Sequence, residues 1–501
     1  MNKFSNKAAG FFNGEKISSA SVTALVIAVA VVLNALLYTV VSVFGLVYYY
    51  TEKTDYSLTG SSDELFDEAI KAGKKVKIRF CMSEDELKAH STGNEVYITA
   101  KKYEEKYPDF IELDYINLFT KQDKDGNYVD LGKYKTDDSV PIFGTSVIFE
   151  CGENNKVITD VYTSTGFSPF YTMDSSMYIT AYNGEEIISS MVSWVTYDEH
   201  KKAYFTQRHG EQVDSSFANL LVCAGYEIDV VDLRKNSVPD DASLLIIMNP
   251  TSDFEASKDG TVYTETDKLA KYLDGGGNLY VALDPYVKTL TVLEDFLLKY
   301  GIKFSTTEND SGKKIRNIVK ESRNAITTDG FTFVCGRADS DMSKSVFDRL
   351  SDDSGVLLKD VSALELSGNA KPILISSGTA VLEAGGKTVS NTGSYCVAAY
   401  SEKQSESGAT SRVFVVPSIY LSVSDAIVSE GYSNKDFIYS LIEGMFWDKI
   451  MPYGCRPISY SSQILQNLTM GTARLYTAIA MLVPASIALV GTVVLVRRKN
   501  K

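Results

Sequence analysis

The sequence predicts an α/β protein: a doubly wound parallel sheet outside the membrane, a smaller N-terminal α/β domain before it, and a transmembrane helix at each end. Three observations carry this. Apolar strands alternate with amphipathic helices through residues 202–300, the pattern of right-handed βαβ crossovers. Residues 61–118 repeat that alternation on a smaller scale. Two long uncharged runs, Ile17 to Tyr50 and Leu475 to Val496, bracket an acidic remainder.

Each run exceeds the ~20 apolar residues that a helix needs to cross the hydrocarbon core. The first is too long for the apolar stretch of a signal peptide, about 7–15 residues, and it closes on the interfacial aromatics Tyr48, Tyr49 and Tyr50. Lys3, Lys7 and Lys16 precede it, and Arg497, Arg498, Lys499 and Lys501 follow the second run. Cytoplasmic flanks collect Lys and Arg, so both termini are expected in the cytoplasm of a cell membrane and the main body outside it. The polar Asn34 and the helix-breaking Pro484 lie inside the runs, where a neighbouring helix or a local kink accommodates them.

The implied segments are a cytoplasmic tail (1–16), the first span (17–50), an N-terminal α/β domain (51–180), the doubly wound domain (181–448), a juxtamembrane linker (449–473), the second span (474–496) and a tail (497–501).

Within the first domain, 61–72 reads as a helix and Lys75 to Cys81 as a strand. Val96 to Tyr107 reads as a charged amphipathic helix and Ile111 to Leu118 as a second strand. Residues 140–151 and 156–162 read as a hairpin joined over Gly152-Glu153-Asn154-Asn155. In the second, Lys202 to Thr206, Glu227 to Leu233, Ser243 to Met248 and Leu279 to Leu283 are strands, and SLLIIM is apolar throughout as a fully buried strand must be. Helices fall at 215–224, 264–273, where Gly275-Gly276-Gly277 supplies a C-terminal stop, and 290–300. Beyond 305 strand-like pieces lie in 356–386, Pro372 to Ser376 among them. Gln404 to Thr410 is a loop by composition, Ser411 to Pro417 a buried strand, and Asn434 to Trp447 a helix. This half either extends the same sheet or packs a smaller layer on it.

Charge and composition exclude several functions. The net charge is −14; residues 1–16 carry +2 and the stretch from Arg474 onward +5, leaving −21 for the rest. Phosphate backbones need clustered cations, so no nucleic acid is expected as a partner. The six cysteines, Cys81, Cys151, Cys223, Cys335, Cys396 and Cys455, form no CxxC, and a domain of this size builds its core without disulfides; they are expected to be mostly unpaired and buried. With only His90, His200 and His209 beside them, no metal or other cofactor is expected. Gly275-Gly276-Gly277 precedes a strand rather than opening a helix, the wrong order for a phosphate cradle. The 31 tyrosines are scattered and define no sugar-binding face.

Several segments in order resemble the auxiliary, substrate-binding-like proteins of a class of ABC transporters, the group that includes the gliding-motility transport component of Bacteroidetes. They are Gln207-Arg208-His209-Gly210-Glu211, where that family has Gly-His-Gly-Glu; VPDDASLLIIMNP from Val238; KLAKYLDGGGNLYVALDP from Lys268; SRVFVVPSIYL from Ser411; Asn434-Lys435-Asp436-Phe437; and the terminal LVPASIALVGTVVLVRRK. Arg208 departs from the family's usual glycine. The resemblance implies a flavodoxin- or amidotransferase-like sheet and a non-enzymatic accessory subunit beside an ABC permease and its ATPase. No G-x-x-x-x-G-K-[ST] is present, so ATP hydrolysis belongs to another chain.

Ligands of a doubly wound sheet sit beyond the carboxyl ends of its strands. There the sequence puts Arg208, His209 and Glu211, then Asn249, then Asp284, a polar set able to hold a small ligand or a partner loop. The competing reading makes His209 and Glu211 helix caps and Asp284-Pro285 a turn. A hydrolase would need a nucleophile on a sharp strand-to-helix turn; the strand before Asn249-Pro250-Thr251 has none, which leaves only a pairing of Cys223 with His209. A free-standing binding module for glycan or peptide is the other alternative.

Overall fold

The computed structural model describes residues 56–460, apart from 91, 135–140, 160–168, 174–178, 257–262, 310, 351–354, 407 and 430. Both predicted spans, the two tails and most of the predicted linker lie outside these residues. Among the described residues no helix is long and apolar enough to cross a membrane.

The N-terminal part forms its own four-stranded sheet in the order β2-β1-β3-β4, built from β1 (Val76–Phe80), β2 (Ile111–Tyr115), β3 (Val147–Cys151) and β4 (Asn154–Ile158). Helix α1 (Ser62–Lys71) precedes it, and α2 (Glu84–Ala89) and α3 (Gly93–Lys106) cross over between the parallel pair β1 and β2. Ser83 and Glu86 close a capping box that starts α2. The hairpin β3–β4 is tighter than predicted: Cys151 pairs with Asn154, so the connection is Gly152-Glu153 alone. Gly152 takes a φ of +61°, the left-handed backbone such a short turn requires. Strands β5 (Tyr171–Met173) and β6 (Ile179–Tyr182) form a small hairpin edge.

Helix α4 (Gly184–Thr196) follows, and every residue of it is buried. A helix apolar on one stripe needs one partner surface; one buried all round needs two. Its neighbours are the four-stranded sheet on one side and α5 (Ser215–Cys223) on the other. One apolar core therefore runs from Leu65 and Phe66 through Ile187 and Val192 to Phe217, Leu220 and Phe437.

The large sheet begins with β7 (Lys202–Thr206), β8 (Glu227–Val231), β9 (Ala242–Met248) and β10 (Asn278–Ala282), with α6 (Glu265–Asp274) and α7 (Thr291–Leu298) along its second face. Side chains alternate as buried strands dictate. Phe205, Ile246, Tyr280 and Phe414 face α5, whereas Leu245, Ile247, Val281 and Val415 face Leu269 of α6 and Phe296 of α7.

The strands that follow are β11 (Ile302–Phe304), β12 (Thr306–Glu308), β13 (Lys314–Arg316), β14 (Ile318–Lys320), β15 (Thr332–Arg337), β16 (Val356–Lys359), β17 (Leu364–Leu366), β18 (Lys371–Ile375), β19 (Val381–Ala384), β20 (Lys387–Thr388), β21 (Cys396–Gln404) and β22 (Thr410–Val416), with α8 (Asp341–Phe347) between β15 and β16. The main order is β16-β15-β18-β21-β22-β10-β9-β7-β8. Only β22, β10, β9, β7 and β8 run parallel to one another; β21, β18, β15 and β16 continue the sheet antiparallel. The fold class is α/β as expected, but a wholly parallel sheet is corrected to a mixed one. The turn at 405–409, where Ser405 and Gly408 close on Ala409 and Ser405, returns β21 directly to β22 with no room for a crossover.

Helices α9 (Ser424–Ile427) and α10 (Asn434–Leu441) complete the α5 face, and α10 widens into a π turn at Ile442–Phe446.

Candidate functional site

The chain order 7, 8, then 9 places β8 and β9 on opposite sides of β7. The strand order reverses there, and the crevice outside the carboxyl ends of β7 and β9 is where such sheets place ligands. The loop after β7 carries Arg208, His209 and Glu211, the loop after β9 carries Asn249, and Asp284 follows β10. All five predicted residues lie along this edge.

The structure divides them. His209 is 3% exposed and has both ring nitrogens occupied. Its Nδ1 is hydrogen-bonded to Glu211 Oε1 and its Nε2 to Glu265 Oε2, both at 3.1 Å. The ring stacks on Phe254 at 4.1 Å. Burial alone would discharge this imidazole, but the hydrogen bonds to the two carboxylates outweigh it and lift its pKa to about 9. The same contact outweighs burial at Glu211 and holds its carboxyl below the ordinary range. Glu265, in the first turn of α6, also accepts the Glu255 backbone N–H at 2.8 Å. His209 is thus an imidazolium clamped between two carboxylates, tying the β7 loop to the start of α6.

The backbone is fastened as well. The His209 carbonyl accepts the N–H groups of Thr251 and Ser252 at 2.8 and 2.9 Å. Gly210 has a φ of +80°, and a Cβ there would stand 2.1 Å from Thr251 Oγ1. Asn249, at φ +49°, receives the Asp284 N–H on Oδ1 at 3.0 Å. Asp284 in turn accepts the Tyr286 N–H at 2.8 Å, the turn that its sequence allows. Glu211 does not cap the following helix; Asp214 does, through the Ser216 N–H. Asp253 reaches across to the Val292 and Leu293 N–H groups and starts α7. Arg208 is exposed at φ +84°. The backbone there favours a glycine, so Arg208 holds a strained conformation.

Cys223 sits at the end of α5 in the apolar core, among Glu186, Ser190 and Tyr439. Burial pushes its thiol up to about 12, and His209 is already engaged by two carboxylates, so no thiolate–imidazole pair exists. All six cysteines are free, and Cys81, Cys223, Cys335 and Cys455 are buried. Among the described residues no group of His, Cys, Asp or Glu is arranged to hold a metal ion.

The sequence reading missed Glu265, which lies 56 positions from its partner. The signal available was its place in Thr264-Glu265-Thr266-Asp267, an acidic first turn with a capping box. It also missed the buried Lys435–Glu186 pair at 2.8 Å, which Tyr439 completes by donating to Glu186 at 2.7 Å.

No family model matches the chain, and no curated protein does. Solved structures with some likeness include the mmIFT52 N-terminal domain (13% identity, 48% of this chain and 96% of that one, TM-score 0.36). Others are a ThuA-like protein from Bacteroides uniformis (12%, 49% and 91%, 0.30) and PurLQS from Thermotoga maritima (14%, 49% and 99%, 0.28). Likeness at this level carries no argument about activity.

Proposed function

We propose that the chain is a membrane-anchored, non-enzymatic accessory subunit of an ABC transport system, held at the cell membrane by its two apolar runs with the α/β body outside. The observation that supports this best is where the resembling segments fall. The His209 loop, the 238–250 stretch with β9, the α6–β10 unit, β22 and the start of α10 are separated in sequence by up to about 125 residues. In space β7, β9, β10 and β22 are consecutive strands of the parallel half. Five of the six resembling segments thus fall in or against this half of the sheet, and the sixth, the terminal run, lies outside the described residues. The most distinctive side chains of these segments have structural work: Asn434 exchanges hydrogen bonds with the Leu357 N–H and C=O at 2.8 and 2.7 Å, and Phe437 is fully buried.

In this reading the ectodomain presents its carboxyl-edge loops to a substrate or envelope partner, and the permease and ATPase are separate chains. Cross-linking the native protein in its own membrane, followed by mass spectrometry of what it carries, tests the proposal. Recovery of a multi-span permease and an ABC ATPase is expected. Recovery only of envelope polymers or surface proteins refutes it in favour of a free-standing binding module.

A further inference from the structure

We infer that the cleft beside the end of β10 is a binding site for small organic anions carrying clustered phosphate or carboxylate oxygens. The cleft, about 340 Å³, is within the size range of small-molecule sites. Its walls are the loop Pro285–Thr289, the β13 hairpin, Phe331 and the β19–β20 turn. Four cations line it, Lys288, Lys313, Lys314 and Arg316, against one carboxylate, Glu383. Glu383 already pairs with Lys320 at 3.0 Å. A local excess of +3 is conspicuous in a body that carries −21 overall.

Of the acids just outside the lining, Glu294 is paired, whereas Asp284 and Asp360 take only neutral donors from Tyr286 and offset part of this excess. Asp360 accepts the Tyr286 hydroxyl at 3.2 Å, and Glu294 holds Arg316 at 2.7 Å. Lys288, Lys313 and Lys314 are exposed.

A second observation points the same way. Arg316 is 6% exposed and fixed by the carbonyls of Asp284 and Val287 and by Glu294, yet its buried Nε has no acceptor among the described residues. A buried guanidinium N–H without an acceptor is costly in a folded protein. An anion in the cleft meets the chemistry that a fixed guanidinium beside flexible ammonium groups provides. Tyr286, 64% exposed at the rim, offers a ring face to the organic body of the ligand. The site lies on the carboxyl edge of the sheet yet is distinct from the closed His209 loops, and it stands whether or not the chain works beside a permease.

The test uses the full chain in detergent micelles, titrated calorimetrically with inorganic pyrophosphate, with trigalacturonate and with neutral maltotriose. Saturable binding of pyrophosphate or of trigalacturonate is expected, and which of the two binds separates phosphate from carboxylate ligands. The variant Lys288→Gln/Lys313→Gln/Lys314→Gln should bind roughly tenfold more weakly or worse, from the loss of three charge-assisted contacts. A control, Lys75→Gln/Lys235→Gln/Lys299→Gln, removes three exposed lysines elsewhere and should leave affinity within about twofold, because charges beyond a Debye length are screened. The inference is overturned if neither anion saturates the protein at millimolar concentration, if maltotriose binds as well, or if both triple variants weaken binding equally.

Discussion

Replacing His209 with glutamine leaves Glu211 and Glu265 buried, each 3.1 Å from a position that no longer carries charge. Two effects follow, and they separate by pH. Removing one member of a buried charged network costs about 3–5 kcal/mol, seen at neutral pH as a lower urea midpoint. The second effect is a change of slope. The folded imidazolium keeps its proton to about pH 9, whereas an unfolded histidine releases it near pH 6.5. Between those values the folded-state histidine holds its proton more tightly than the unfolded one, so its contribution to stability falls as pH rises. The histidine contribution is fully present below pH 6.5 and gone above pH 9. At 1.36 kcal/mol per pH unit it amounts to ~3 kcal/mol, of which ~2 kcal/mol disappears between pH 7 and 9.5. Urea titrations of the full chain in micelles, followed by fluorescence of Trp194 and Trp447, measure this directly. Across pH 7–9.5 the wild type should lose ~2 kcal/mol more than the His209→Gln variant, because the other titrating groups, Lys449 among them, contribute alike to both proteins. Equal slopes in the two proteins, or a variant within about 1 kcal/mol of wild type at pH 7, would refute the clamped-imidazolium account.

Three further outcomes are expected. Gly210→Ala should destabilise by about 1–3 kcal/mol, from its left-handed backbone and the collision with Thr251, while Arg208→Gly two residues earlier should cost nothing measurable in the same urea assay. Lys435→Met should cost about 3–5 kcal/mol, whereas Lys435→Met/Glu186→Leu should recover most of that loss in a double-mutant cycle. The Cys223 thiol, pushed up to about 12, should resist a disulfide reagent at pH 8 in the native chain and react within minutes in denaturant.

The parallel half was legible because its signals are local. SLLIIM admits no face exposed to water, and the Gly275-Gly276-Gly277 stop is used as read, with Gly276 at φ +91° after α6. The antiparallel half was not, since β11, β12, β13, β14 and β17 are three residues each and too short to display a period. Strand β21 hides for another reason: its polar end, Ser401-Glu402-Lys403-Gln404, carries no apolar alternation, and the stretch read as loop from Gln404 to Thr410 shortens to 405–409 once β22 lies beside it. The polar edge residues were placed correctly along the strand ends, but pairings across sequence distance were invisible. Neither Glu265 beneath His209 nor Lys313 and Lys314 across from Lys288 has a spacing that announces the contact. The two long apolar runs, the clearest feature of the sequence, lie outside the described residues.

The place of β22 has a consequence for biosynthesis. It is the last strand of the sheet to be translated, yet it fills the gap between β10 and β21. Until residue 416 has been made, β10 has an open flank of unpaired N–H and C=O groups, the kind of edge that recruits stray strands. At about 5–20 residues per second the ribosome takes on the order of 10 s to bring β22 to it. During that interval strands β11 to β21 emerge one after another while the β10 edge stays open to mispairing. The order of synthesis thus makes this strand gap the step most exposed to misfolding, and a natural place for a chaperone to bind.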